Sequence, residues 1–252
     1  MKRITLLLLF LSLYFSLPVS AVTETNNQKT ILIESYKEDV TGDGQKEEIQ
    51  LSGILFSTDS GYFHNIWADI KGPQKKQWKI NYEGGYKPSL QFKDLNHDGV
   101  RDLLFQSDSG GNSDFHFYQI NTLKMEKLKK LSLPKSISIS GSFQNGFKAT
   151  LKLDPNKKPI KMDLQNRASE YIRSGIYDEQ GKLLNEMKLM IEPISFFEPT
   201  FISKSKGYGL KSYQQVSGTS HIDQLGTIEI LWYFEDNKWI KLKQKWRSES
   251  NN

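Results

Sequence analysis

From Thr30 onward, apolar and polar residues alternate with period two along most of the chain and sustained helical periodicity is scarce, so strands joined by short polar turns are predicted. Ile31, Ile33 and Ser35 face away from Leu32, Glu34 and Tyr36, and Leu90 and Phe92 alternate with Ser89, Gln91 and Lys93. An acidic loop follows each of these runs, after which Ile49 and Leu51, or Leu103, Leu104 and Phe105, resume the apolar pattern. Two more hairpins stand out by turn chemistry: Phe147 to Leu153 with Ile160 to Leu164 around Asp154-Pro-Asn-Lys-Lys-Pro159, and Thr227 to Phe234 with Trp239 to Trp246 around Glu235 to Lys238. In the last hairpin Ile228, Ile230, Trp232 and Phe234 share one face, and the same reading puts Ile240, Leu242 and Trp246 on one face of the final strand. Lys241, Lys243 and Lys245 then form its outward stripe. Residues Gln165 to Arg173 read as one short helix capped by Asp163, with a strand at Tyr171-Ile172 as the alternative.

The two acidic loops are copies of one design. Asp39-Val-Thr41-Gly-Asp43-Gly44-Gln45-Lys-Glu47 and Asp94-Leu-Asn96-His-Asp98-Gly99-Val100-Arg-Asp102 each carry oxygen side chains at positions 1, 3, 5 and 9 and glycine at 6. A hard cation such as Ca2+ takes this kind of oxygen set, with position 7, Gln45 or Val100, contributing its main-chain carbonyl. Three carboxylates gathered in so short a loop repel one another strongly unless a cation sits among them. An EF-hand is excluded, because strands flank both loops and position 12 is Gln50 or Phe105 where that motif needs a bidentate glutamate. The metal-free alternative is an Asp-Gly turn, which favours the same residues.

The repetition extends beyond the loops. Each is followed by a strand, then Thr58-Asp-Ser-Gly61 or Ser107-Asp-Ser-Gly110, then an aromatic strand with His64 or His116. A duplication of about 50 residues has the size of one four-stranded propeller blade, and two copies fall short of a closed propeller. The expected fold is therefore mainly β: two blade-like repeats with strand-loop-strand calcium hairpins over residues 30–134, and a β-rich C-terminal region over 135–252 with little helix.

Composition narrows the function. Lys2 and Arg3, the apolar run Ile4 to Leu17 and the small residues Val19-Ser20-Ala21 read as a secretory leader over residues 1–21, with cleavage after Ala21 and a flexible lead-in over 22–29. The apolar run is shorter than the roughly 20 residues of a spanning helix, so no membrane span is expected after cleavage. With no cysteine, disulfides, thiolate catalysis and cysteine-based zinc sites are excluded together. Loss of Lys2 and Arg3 lowers the formal charge from +5 to +3, too mild an excess to mark a nucleic-acid partner.

Both loops resemble the calcium-binding segment of FG-GAP and VCBS-type repeats, whose pattern is Asp-x-Asn/Asp-x-Asp-Gly-x-x-Asp between strands. The second loop matches at Asp94, Asn96, Asp98, Gly99 and Asp102; the first departs at Thr41 and Glu47. The chain as a whole, with Gly207 to Gly218 and its tryptophan-rich end, is similar to exported VCBS-repeat proteins of low-GC Gram-positive bacteria. The loops and the leader together give the expected function, a secreted calcium-binding protein acting as a non-catalytic binding or structural module at or outside the cell surface, with calcium and a cell-wall polymer or surface protein as the expected partners. The competing expectation is an extracellular hydrolase of cell-wall or polysaccharide material that uses calcium as a scaffold and draws acids from Asp163, Glu170, Asp178 and Asp223.

No catalytic set stands out. Asp108-Ser109-Gly110-Gly111 resembles the nucleophile segment of trypsin-like proteases, but its counterpart at Thr58 to Gly61 makes it a repeated turn. Tyr208, Tyr213, Gln214, His221 and Asp223 fall in a polar, glycine- and serine-rich stretch and are the candidates for a glycan or peptide site. The lysine stripe of the last strand, joined by Lys238 and Arg247 and flanked by Trp239 and Trp246, reads first as a solvated guard on an edge strand and second as a surface for anionic polymers.

Overall fold

The computed structural model describes residues 29–110 and 115–249; the leader, its cleavage site and all but the last residue of the lead-in lie outside them. Among the described residues the chain is mainly β, in four antiparallel sheets, none of them closed. The first sheet is a meander of β1 (Thr30–Glu38), β2 (Glu47–Leu55), β3 (Phe63–Lys71) and β4 (Gln77–Tyr82). The second repeats that order with β5 (Tyr86–Lys93), β6 (Asp102–Asp108), β7 (His116–Thr122) and β8 (Lys129–Leu131). The acidic loops join β1 to β2 and β5 to β6, as the alternation predicts, and a single 3-10 turn, Pro73–Lys75 or Lys124–Glu126, sits between the last two strands of each meander.

A three-stranded sheet follows, ordered β11-β10-β9, from β9 (Ser140–Gln144), β10 (Lys148–Lys152) and β11 (Ile160–Asp163). Gln165–Arg167 forms a 3-10 turn that runs into α1 (Ala168–Arg173), a helix of six residues. Asp163 Oδ1 accepts the Gln165 N–H at 2.9 Å ahead of the turn, but the cap positions are Leu164 and Arg167 and neither gives a side-chain cap, so the expected Asp163 cap on a Gln165 to Arg173 helix is not formed. The fourth sheet is the longest: β12 (Met190–Ser203), β13 (Gly207–Ser217), β14 (Gln224–Glu235) and β15 (Lys238–Ser248) in sequence order. Its final turn has Asp236 and Asn237 at φ 50° and 58°, the paired left-handed residues of a tight hairpin that follows strand twist.

One sequence expectation is overturned in β15. The register shifts between Leu231 and Trp232, which pair with Lys243 and Lys241 respectively, so Leu242 is the extra residue of a bulge. Each residue before the bulge changes face. Trp246, Gln244, Lys241 and Trp239 therefore lie on the face of Ile228, Ile230, Trp232 and Phe234, while Ile240 shares the outer face with Lys243 and Lys245. Trp239 explains the shift: its ring meets Phe234 at 5.1 Å, and its indole N–H donates to Ser132 O at 2.7 Å.

Two apolar clusters hold the sheets together. One joins the meanders through Ile49, Leu51, Ile66 and Ile70 on one side and Leu90, Leu103 and Phe105 on the other. The second joins Leu95, Leu104 and Ile120 of the second meander to Phe143, Tyr171, Ile228, Ile230 and Trp232 of the C-terminal half, so apolar packing runs across residue 134. Strand β6 belongs to both, with Leu103 and Phe105 on one face and Leu104 on the other, all 1% exposed or less. We expect Leu104→Ala to destabilise the protein by about 2–5 kcal/mol. Because β6 is shared, tryptophan fluorescence, which reads both halves, and circular dichroism should follow one coincident urea transition; two separated transitions with only one moved would contradict the shared core.

Candidate metal centre

The two loops repeat their hydrogen bonds as well as their residues. In each, the position-1 carboxylate accepts the N–H of position 6: Gly44 to Asp39 Oδ2 at 2.9 Å, and Gly99 to Asp94 Oδ2 at 3.0 Å. The position-5 carboxylate accepts the N–H of position 7, Gln45 to Asp43 at 2.8 Å and Val100 to Asp98 at 3.0 Å. The position-9 acid reaches back to the N–H of position 2, Val40 to Glu47 and Leu95 to Asp102, both at 2.9 Å. Gly44 and Gly99 stand at φ 84° and 86°, the left-handed conformation glycine adopts without strain. The second loop is also left-handed at His97, φ 60°, where the first has Gly42.

The loops differ in burial. Residues 42–46 of the first are all exposed, whereas His97 of the second is covered by Tyr233, with ring centroids 4.3 Å apart. Asn96 Nδ2 donates to Asp98 Oδ2 at 3.1 Å, and in the first loop the Thr41 hydroxyl donates to Glu47 at 3.3 Å. The loops lie against each other: a Cβ on Gly42 would come within 2.5 Å of Val100 Cγ2, and Glu38 beside the first loop pairs with Arg101 of the second. The turn before β8 ties down both, with Met125 N–H donating to Thr41 O at 3.0 Å and the Lys124 ammonium donating to Asp98 O. Sequence reasoning missed Lys124, because it lies 26 residues from its partner and outside the motif.

The position-9 acids carry the electrostatic tension. Glu47 and Asp102 are fully buried. Asp102 Oδ2 accepts from Leu95 and Asn96, while Asp102 Oδ1 has no hydrogen-bond partner. The facing Thr122 hydroxyl lowers the Asp102 pKa but is itself without a well-directed bond. Burial outweighs these donors and raises the Asp102 carboxyl to about 7, with the Asp98 charge adding to the rise. Burial also raises Glu47, against donation from Val40 and Thr41 and with help from the Asp43 and Asp39 charges. The donor set, all oxygen with three acids per loop and an orphaned buried oxygen in the second, fits a hard cation. Among the described residues no three His, Asp or Glu side chains converge as a finished cage; the position-1 and position-5 carboxylates instead hold loop amides.

An open cleft of about 580 Å³ adjoins the second loop, lined by Glu38, Lys93, Asp94, Gly99, Arg101 and Tyr208 among others. Tyr208 is thus separated from the remaining polar candidates. Tyr213 faces outward and donates to Glu198 at 2.6 Å. Gln214 is buried on the opposite face of β13 and donates to Glu192 O at 2.6 Å, and Glu192 pairs with exposed His221 at 2.6 Å. Asp223 is buried as well, bonded to Tyr171 at 2.8 Å, to Thr219 N–H at 2.8 Å and to Arg167. Asp223 and Arg167 are 56 residues apart, beyond the reach of any local sequence signal.

Residues 137–247, less than half of the chain, match the family described as the YybI C-terminal domain. A relative that is 24% identical over 220 residues, 84% of this chain and 83% of its own length, is the uncharacterised protein YybI of Bacillus subtilis strain 168. Among solved structures, the rhamnogalacturonan lyase PL11 of Bacillus licheniformis aligns with 86% of this chain at 14% identity and a TM-score of 0.36. The chain spans about a third (34%) of that enzyme's length, and a likeness at this level carries no argument about activity.

The Asp102 shift has a signed consequence in chelated solution. Between its ordinary value of 3.8 and about 7 the folded state keeps a proton that the unfolded chain releases. The stabilising effect is therefore fully present below the ordinary value and is lost as pH rises through the raised one, and Glu47 acts in the same direction. The thermal midpoint of the calcium-free protein should fall from about pH 5 to about pH 8, and Asp102→Asn should flatten that fall. A wild-type midpoint that rises across this window would contradict the burial of Asp102.

Proposed function

We propose that this chain is an exported calcium-binding protein whose two metal hairpins rigidify a β scaffold for a binding or structural role at the cell surface. The observation that carries the reading is the buried Asp102 carboxylate, one oxygen of which has no well-directed bond beside the facing Thr122 hydroxyl, set in a loop whose acids and hydrogen bonds recur at Asp39 to Glu47. Asp94, Asn96, Asp98, the Val100 carbonyl and Asp102 hold the ion in the second loop, and Asp39, Thr41, Asp43, the Gln45 carbonyl and Glu47 hold one in the first. Bound calcium supplies positive charge that lets these acids stay ionised while packed together. The two meanders are propeller-type blades, as supported by their equal strand order and matched turns, with the C-terminal sheets covering what a ring would otherwise close.

A non-catalytic role is favoured by the fate of the acids that a hydrolase would use. Asp163 accepts the Gln165 N–H, Glu170 is exposed on α1, Asp178 accepts the N–H groups of Gln180 and Lys182, and Asp223 is bound by Arg167 and Tyr171. Asp163, Asp178 and Asp223 are thus each held by different partners, with no hydrogen bond between any two of the four acids.

Calcium titrated calorimetrically into the chelated chain from Val22 to Asn252 should bind with a stoichiometry of one or two, and Asp94→Ala/Asp98→Ala should lose part of that heat. At about a hundredfold excess over Kd the ion should raise the wild-type midpoint by roughly 5–10 °C. No heat and an unmoved midpoint would reduce both loops to metal-free turns and remove the calcium reading.

A further inference from the structure

The outer face of the fourth sheet carries a charge pattern that neither the core nor the hairpins use. Register across β13, β14 and β15 places Lys211, Leu231 and Lys243 in one row, Tyr213, Glu229 and Lys245 in the next, and Gln215, Thr227 and Arg247 in a third. The opposite face packs into the core through Leu210, Val216, Ile228, Ile230 and Trp232. On the outer face Lys211, Glu229, Leu231, Lys243, Lys245 and Arg247 line a shallow groove of about 210 Å³, four cations against one acid.

That acid does not neutralise the groove. Glu229 pairs with Arg247, and Lys211 lies 3.8 Å from Glu198 at the edge. Lys243 and Lys245 are exposed and, among the described residues, take part in no ion pair. A guard against edge pairing would need lysines on β15 alone, whereas this groove reaches across β14 to Lys211 on β13.

Spacing and apolar content select the ligand. Lys243, Lys245 and Arg247 alternate along one strand, so their Cα atoms recur about every 7 Å. This interval suits a linear polymer with one negative charge per small repeating unit. Both neighbouring tyrosines are already engaged: Tyr213 packs on Phe196 at 5.5 Å and bonds Glu198, and the ring of Tyr233 carries His97 on one contact and the Lys206 ammonium on another at 4.2 Å. The groove thus lacks the free rings on which nucleic-acid bases stack, while Leu231 at its centre offers contact to methylene groups. We propose that the outer face of β13 to β15 binds a linear phosphodiester polymer of polyol units. The proposal stands on this charge geometry and does not require calcium in the hairpins.

Binding of purified poly(glycerol phosphate) to the protein is measured against salt concentration, with and without chelator, beside a single-stranded polynucleotide and a neutral dextran. Wild type should bind the polyol phosphate more tightly than the polynucleotide, should ignore dextran, and should show a log–log salt slope of about −1 to −2 for the two lysines outside ion pairs, Lys243 and Lys245. Lys243→Glu/Lys245→Glu should weaken binding by at least about tenfold, and the same charge change at exposed Lys129→Glu/Lys130→Glu should leave it within about twofold. The neutral pair Lys211→Gln/Lys243→Gln, checked for an unchanged melting midpoint, should weaken it also and guards against misfolding of the reversed-charge protein. Absence of binding at low salt, equal loss in the control pair, or tighter binding of the polynucleotide would each overturn the proposal.

Discussion

Asp102 is the first residue of β6, the strand that both apolar clusters share, and its carboxyl is fully buried. The position is set by three neighbours in sequence: Leu103 and Phe105 must enter one core and Leu104 the other, which fixes where the strand begins and on which side the preceding acid falls. Asp102 Oδ2 then closes the loop by accepting from Leu95 and Asn96. Two hydrogen bonds to a charged acceptor contribute about 1.5–3 kcal/mol each, and burying the charge costs several kcal/mol. Burial outweighs the donors and raises the carboxyl to about 7. A proton relieves that cost in the metal-free chain, and in the proposed function a hard cation among these oxygens would relieve it instead.

From that anchor the rest of the N-terminal half follows by repetition. Glu47 opens β2 as Asp102 opens β6, and it too is fully buried and holds the N–H of position 2. The loops then touch through Gly42 and Val100, and the Lys124–Glu126 turn bonds to both. Contact between the loops therefore depends on the same two strand starts. Burial separates their roles: the first loop faces solvent, while the second is pressed against the fourth sheet through His97 and Tyr233, so a change in the second loop reaches the outer face of that sheet directly.

Where the physics was local, the sequence showed it. Period-two alternation found the strands around both loops, and the glycine positions found the left-handed residues at Gly44 and Gly99. What it missed was set by distant partners. Trp239 turns inward to reach Ser132, which shifts the register at Leu242 and moves Lys241 to the core-side face; nothing within β15 signals this. Lys124 reaches Asp98, and Arg167 reaches Asp223, through tertiary packing alone. The polar candidates Tyr208, Tyr213, Gln214, His221 and Asp223 looked like one set because they are near in sequence. Alternation along β13 sends Tyr213 and Gln214 to opposite faces, and the length of the strand carries Tyr208 to the cleft beside Asp94.

The measurement that tests this account most directly is a crystal structure of the protein grown with calcium. An ion bound by Asp102 Oδ1 together with Asp94, Asn96, Asp98 and the Val100 carbonyl would show that the buried acid is a metal ligand. A structure at saturating calcium in which Asp102 Oδ1 is bonded to the Thr122 hydroxyl, with no ion in the loop, would contradict it.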